Sequence, residues 1–318
     1  MTQPTPASPT HPGSAYFALP QGSGRRLKWW HWLLGLLAII GLELALGAVV
    51  YGLAWVFSPA DWQLAKGEGP RGGYADYLAL FAVFIPSFVL PLLVWRLWNH
   101  LPLARLIAWA GRVRWGYMIR SLVVVAVGYA LWTLADVGLN PEDYAEHVWH
   151  PDPGGFAVLL LITLLLCPIQ ASSEELLVRG YANHAVARWL GGSRVAIVLA
   201  CVITSALFAA LHLGNPEGEG QLALYMAGTF LFGLGMCALL WLEGGLESAI
   251  GYHIANNVFV FSGLGYADAS LPQSALWEAP DIAITATSLA WEALGLVVFV
   301  ALIVAWNRRA DRARRGAP

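Results

Sequence analysis

The sequence predicts an all-α, polytopic membrane protein, a bundle of about eight transmembrane helices. Three observations lead there. Of 318 residues, 58% are apolar and only 12% are charged, with 16 tryptophans. Apolar runs of the roughly 20 residues that a spanning helix needs recur along the chain. Lys and Arg collect in alternate connections between those runs, as the orientation of helices in a bilayer requires.

The first 28 residues are rich in Pro, Thr, Ser and Gly and lack the apolar periodicity that would offset ordering entropy, which predicts a disordered tail ending in Arg25, Arg26 and Lys28. The apolar run that follows is too long for a signal peptide and has no small-residue cleavage site, so it reads as a first span that stays. Spans are predicted near 32–56, 77–98, 117–136, 155–176, 195–213, 222–242, 245–263 and 282–306. Trp29, Trp30 and Trp32 beside the basic cluster, and Trp95 and Trp98 at the end of the second span, read as interfacial anchors. Gly228, Gly233 and Gly235 suit the sixth span to close helix approach.

Charge placement tests the count. Arg96, Arg105, Arg112, Arg114 and Arg120 surround the second connection, Arg179, Arg188 and Arg194 the fourth, and Arg308, Arg309, Arg312, Arg314 and Arg315 the C-terminal end. The other side carries only Lys66 and Arg71. Both termini are therefore expected in the cytoplasm. The organisation is a basic-ended tail over 1–28, a helical bundle over 29–306 with its distinctive residues in 155–263, and a basic tail over 307–318. A formal net charge of -2, with no basic stretch interleaved with aromatics, excludes nucleic acid as a partner. Cys167, Cys201 and Cys237 fall inside apolar runs and suggest neither a disulfide framework nor a cysteine metal site.

Function is sought among the helices, because charged groups at mid-bilayer cost on the order of 3 kcal/mol each and mark interior sites. In "EELLVRG", Glu175 and Arg179 are four apart and share a helix face, whereas Glu174 is turned about 100 degrees away. Glu175 is thus expected to be neutralised while Glu174 stays free; a helix end with snorkelling heads would carry the same residues. "FAALH" places Phe208 and His212 on one face, and "HIANN" does the same for His253 and Asn257. Each has a bland reading, a core histidine or interhelical bonds worth about 0.6 kcal/mol. Depth favours a shared site. A hairpin turning at Gly191 and Gly192 sets Glu174 and His212 level to within about 5 Å. A turn at Gly244 and Gly245 brings His253 and Asn257 to the same level if the fourth and fifth helices protrude by about two turns. Glu43 and Glu292, near the middle of the first and eighth spans, belong to no motif.

These three stretches resemble the EExxxR, FxxxH and HxxxN motifs of the CPBP family, the CAAX-processing and bacteriocin-processing intramembrane proteases, in the same order and on separate helices over residues 174–257. Val178 stands where relatives often have an aromatic residue. The resemblance implies an integral protein of a bacterial cell (inner) membrane that hydrolyses a membrane-associated peptide or protein substrate. It implies that Glu174 and His212 activate the attacking water, that His253 and Asn257 stabilise the oxyanion, and that Glu175, Arg179 and Phe208 support them. Amide hydrolysis needs such a base and such preorganised donors. A zinc ion held by His212, His253 and Glu174 would use the same residues in another way.

No HExxH stretch and no GxSxG elbow offers a competing signature. A non-catalytic membrane scaffold or bacteriocin-immunity factor is the alternative, followed by a proton-coupled transporter, whose paired broken helices are not visible in the sequence.

Overall fold

The computed structural model describes residues 11–18, 27–57, 74–150, 152–214, 221–266, 275–279 and 284–315. A helix stands at each of the eight predicted spans. The first span is α2 (Trp29–Phe57), which follows a short helix α1 (Pro12–Phe17). The second is broken into α3 (Tyr74–Ala82), α4 (Phe84–Leu93) and a π-helical turn over Val94–Trp98, with Pro91 inside α4. After the short α5 (Ala104–Ile107) comes α6 (Trp115–Leu139). The fourth span starts as α7 (Pro153–Glu174), passes through a π-helix (Glu175–Ala182) and ends as α8 (Asn183–Trp189). Then follow α9 (Arg194–Ala210), α10 (Leu222–Glu243), α11 (Glu247–Ser262) and α12 (Ala286–Arg315).

Six of these stretches are long and apolar enough to cross a membrane, including the unbroken run Pro153–Trp189 of 37 residues. The fifth and seventh predicted spans are shorter, at 17 and 16 residues for α9 and α11. α11 does not need a full span's length where it lies, because it is buried between α6 and α7 along Glu247–Ala255. Close approach makes this possible: a Cβ on Gly251 would fall 2.1 Å from the Met118 carbonyl oxygen, so the α6 and α11 backbones nearly touch. Likewise a Cβ on Gly233 would meet Ser205 of α9 at 2.9 Å, and one on Gly235 would meet Leu296 of α12 at 2.5 Å, the close packing expected of the sixth span.

Both turns anticipated from glycine are present. Gly191 and Gly192 reverse the chain between α8 and α9 with φ of 94° and 70°, and Ser193 caps α9 by accepting from the Ala196 N–H at 3.1 Å. Gly244 ends α10 at φ 70°, in the left-handed region that favours glycine. That second turn is tied to the α5 segment: Trp109 N–H donates to the Gly244 carbonyl at 3.0 Å and Leu246 N–H to the Ile107 carbonyl at 2.7 Å. Beside it the Arg114 guanidinium grips Glu247 with two parallel bonds of 2.8 and 2.7 Å. The Arg-rich connections therefore meet at one end of the bundle. At the other end, the connection after α6 and the one after α11 join in a three-stranded sheet of β1 (Val148–Trp149), β2 (Leu264–Tyr266) and β3 (Trp277–Ala279), in which β3 is antiparallel to β1 and parallel to β2.

Three expectations change. Within the stretch read as a disordered tail, residues 11–18 hold α1, whose Tyr16 and Phe17 are buried. Its apolar side chains find a surface that the sequence does not reveal: Tyr16 donates to the Leu106 carbonyl at 2.6 Å, Arg188 donates to the Phe17 carbonyl at 2.7 Å, and His11 stacks on Trp241. The second concerns the tryptophans. Trp29, Trp30 and Trp98 are exposed as anchors should be, but Trp32 and Trp95 are buried around His184 with Tyr16, Phe17 and Tyr181. Finally, α12 continues through the predicted C-terminal tail to Arg315, with Asn307 buried against Glu243 at 2.8 Å and Asp311 accepting from Tyr117.

Candidate active site

The site is assembled where α7 loses its regular pitch. Pro168 lies inside α7 and removes one backbone donor, and seven residues later the helix widens into the π-helix that begins at Glu175. Local widening of this kind often accompanies functional sites. Gly180 lets this segment press on the α5 region, since a Cβ there would lie 3.0 Å from Leu106. On the far side Asn183 accepts from Thr204 at 2.7 Å and donates to the Cys237 sulfur at 3.6 Å, which ties α8 to α9 and α10.

Against this frame the two glutamates take different environments. Glu175 and Arg179 are both fully buried and lie 3.2 Å apart. The Arg179 guanidinium carbon also sits 3.9 Å from the centroid of the Phe208 ring, so its charge is held between a carboxylate and an aromatic face. Glu174 keeps part of its side chain exposed, at 16%. This division of labour follows the expectation from spacing. The link between the two acids does not: His253 of α11 bridges them, with Nδ1 2.8 Å from Glu175 Oε1 and Nε2 3.4 Å from Glu174 Oε2. Glu175 fixes the imidazole by accepting from Nδ1, which directs Nε2 toward Glu174.

Asn257, one turn after His253, is drawn to the same group of side chains through a residue that sequence reasoning did not select. Its Nδ2 donates to Gln170 Oε1 at 2.8 Å, and Gln170 Nε2 donates to Glu174 Oε1 at 2.7 Å. The signal was present: Gln170 is a polar residue inside an apolar run, four positions before Glu174 and hence on its face. Glu174 Oε1 is thereby engaged, while Oε2 is a buried acceptor without a hydrogen-bond partner among the described residues.

His212 stands apart. It lies two residues beyond α9, with Nδ1 2.7 Å from the Phe208 carbonyl oxygen and its ring 4.5 Å from the Phe208 ring. Phe208 in turn is 6.1 Å from the His253 ring, so both histidines neighbour one aromatic side chain. The structure thus brings together Glu174, Glu175, Arg179, His253 and Asn257, with Phe208 against Arg179 and His253 and His212 against Phe208. Glu43 and Glu292 are not part of this cluster; Glu292 lies against Gly228 of α10. The donor set does not fit a metal ion as arranged. Among the described residues no three His, Cys, Asp or Glu side chains are gathered to hold one, the trio of His212, His253 and Glu174 included.

Residues 153–259 match the family model described as Rce1-like, type II CAAX prenyl endopeptidase Rce1-like. The motif-bearing core is similar to that family. This segment runs from the start of α7 through most of α11 and contains Gln170, Glu174, Glu175, Arg179, Phe208, His212, His253 and Asn257. The Rce1-like match does not reach α2 to α6 or α12. The chain is also 29% identical over 149 residues to the uncharacterized protein YyaK of Bacillus subtilis (strain 168), an alignment covering 47% of this chain. It spans 46% of that relative's length. No solved structure matches the chain.

Proposed function

We propose that the protein is an intramembrane endopeptidase that hydrolyses a peptide bond of a membrane-associated substrate, using water activated at Glu174. One observation carries this reading. Of two adjacent carboxylates, Glu175 is fully buried with its Oε1 shared by Arg179 and His253, whereas Glu174 is 16% exposed and carries Oε2, without a hydrogen bond among the described residues, 3.4 Å from His253 Nε2. A base needs a free acceptor within reach of the water it deprotonates, and developing charge on the attacked carbonyl needs preorganised donors nearby. The second amide hydrogen of Asn257 is a donor of that kind, and so is His253 Nε2 when the imidazole carries both protons. His212, whose ring lies 4.5 Å from that of Phe208, is taken to activate the water together with Glu174, as the family resemblance implies. No step is routed through a metal, because the residues present do not form its site.

The match to a CAAX prenyl endopeptidase model favours a substrate with a lipidated C-terminal tail, and the basic end of the bundle favours cytoplasmic termini in a bacterial cell (inner) membrane. The test uses protein purified into nanodiscs and an internally quenched peptide ending in an S-farnesyl-cysteine and three further residues. Cleavage is expected from wild type, with Glu174→Ala and His212→Ala each slower by about 10²–10⁴-fold, the usual contribution of a general base. Full activity of Glu174→Ala would overturn the assignment. Membrane peptidomes from cells carrying wild type or Glu174→Ala then identify natural substrates without presuming a lipid.

A further inference from the structure

Glu174 ends a chain of hydrogen bonds that begins outside the Rce1-like segment. Tyr129, in the middle of α6, donates its hydroxyl to Asn256 Oδ1 at 2.7 Å. Asn256 Nδ2 donates to Asn257 Oδ1 at 3.0 Å, Asn257 Nδ2 to Gln170 Oε1 at 2.8 Å, and Gln170 Nε2 to Glu174 Oε1 at 2.7 Å. Three amides thus stand head to tail between a phenol and a carboxylate.

The direction of that chain is fixed at both ends. An ionised carboxylate only accepts, so Gln170 must turn its N–H to Glu174 and its oxygen to Asn257. Asn257 must then present N–H to Gln170 and oxygen to Asn256, and Asn256 must present N–H to Asn257 and oxygen to Tyr129. The phenol is the one member able to donate at the far end without needing a further amide. Tyr129 is itself paired with the Tyr252 hydroxyl, which leaves its own proton for Asn256. Each bond polarises the next in a low-dielectric interior, and a flipped amide would place two oxygens or two N–H groups face to face.

We infer that Gln170 and Tyr129 are positioning residues for Glu174, the phenol acting through the three amides to hold the carboxylate with Oε2 turned to the reacting water. This rests on the proposed role of Glu174 as base. It adds α6, which lies outside the segment that matches the family model, to the machinery of the site.

The experiment combines kinetics with a readout that needs no turnover. Steady-state cleavage of the farnesylated quenched peptide is measured for Gln170→Leu, Gln170→Glu, Tyr129→Phe and the double variant Gln170→Leu/Tyr129→Phe. Gln170→Leu removes a bond to a charged group and is expected to lower kcat about 10–100-fold; Tyr129→Phe removes a neutral bond and is expected to lower it about 2–10-fold. KM should stay unchanged in both. Gln170→Glu, which keeps the shape but not the donor, should be no better than Gln170→Leu. The double variant should lose less than the product of the two single effects, since the phenol reaches Glu174 only through that residue. In parallel, the side-chain amide signal of Gln170 in 15N-glutamine-labelled protein, assigned by its loss in Gln170→Leu, should shift in Tyr129→Phe. If Glu174→Ala is inactive while Tyr129→Phe keeps wild-type kcat, or if the two substitutions multiply, the relay is overturned and the protease reading survives. If wild type cleaves neither the peptide nor any membrane protein, the protease reading fails, and the amide signal alone decides the relay: a shift sustains it and an unmoved signal ends it.

Discussion

His253 Nδ1 and Glu175 Oε1 are 2.8 Å apart, and the same carboxylate oxygen lies 3.2 Å from Arg179. A buried acid is therefore shared between a cation that neutralises it and an imidazole that it orients. Removing its charge isolates Arg179. Glu175→Gln is expected to destabilise the protein by about 3–5 kcal/mol, the cost of leaving one buried charge uncompensated. Thermal unfolding in nanodiscs checks this, and Glu175→Gln/Arg179→Met, which removes both charges, should recover a large part of the loss. Cleavage by Glu175→Gln should fall as well, because His253 loses the acceptor that fixes its ring.

Gly251 is where α6 and α11 meet backbone to backbone, with Met118 oxygen, carbonyl carbon and Cα at 2.1, 2.9 and 3.1 Å from the position of a Cβ. No side chain can swing aside there. Gly251→Ala is expected to cost about 1–3 kcal/mol, as overpacking does, despite alanine's better helix propensity. An unchanged unfolding midpoint would show that the two helices separate without penalty.

One buried hydroxyl ties α1 to the α5 segment. Tyr16→Phe leaves the Leu106 carbonyl without its 2.6 Å partner and is expected to destabilise by about 1–3 kcal/mol. Ser14→Ala, two residues earlier, supplies the contrast: the Ser14 hydroxyl is buried and without a hydrogen-bond partner among the described residues, so its removal should be neutral or slightly stabilising. Equal losses from both variants would contradict the assignment of the Tyr16 bond.

Beside the sheet at the far end, His147 packs against both Tyr144 and Trp277, with ring centroids at 4.8 and 5.1 Å, and those two rings stack on each other. Burial disfavours the imidazolium and lowers its pKa from the ordinary 6.5. The undocked chain then binds the proton more tightly than the folded sheet. The stability contributed by this packing is present above about 6.5 and is lost as pH falls through that value toward the lowered folded one. Protection of the β1 and β3 amides, corrected for the intrinsic pH dependence of exchange, should fall on acidification through this range, and His147→Gln should reduce that dependence.

Much of the fold was legible because a bilayer constrains it so strongly. Every spanning backbone must satisfy its own hydrogen bonds, so long apolar runs become helices, and Arg placement sorts their ends. The turns at Gly191 and Gly244 followed from local chemistry for the same reason. Helix periodicity also paired Glu175 with Arg179 and left Glu174 open.

Tertiary structure alone decided which helices lie against one another, and with that the partners across the site. His253 against the two acids, Gln170 against Asn257, and Phe208 against His253 all join residues far apart in the chain, and no spacing within one helix encodes such contacts. The same holds for Trp32 and Trp95, whose interfacial sequence context gave no sign of the cavity-filling role they take around His184. Burial is a property of the assembled surfaces: a side chain on a helix has a face, but only a neighbouring helix determines whether that face meets lipid, water or another chemical group.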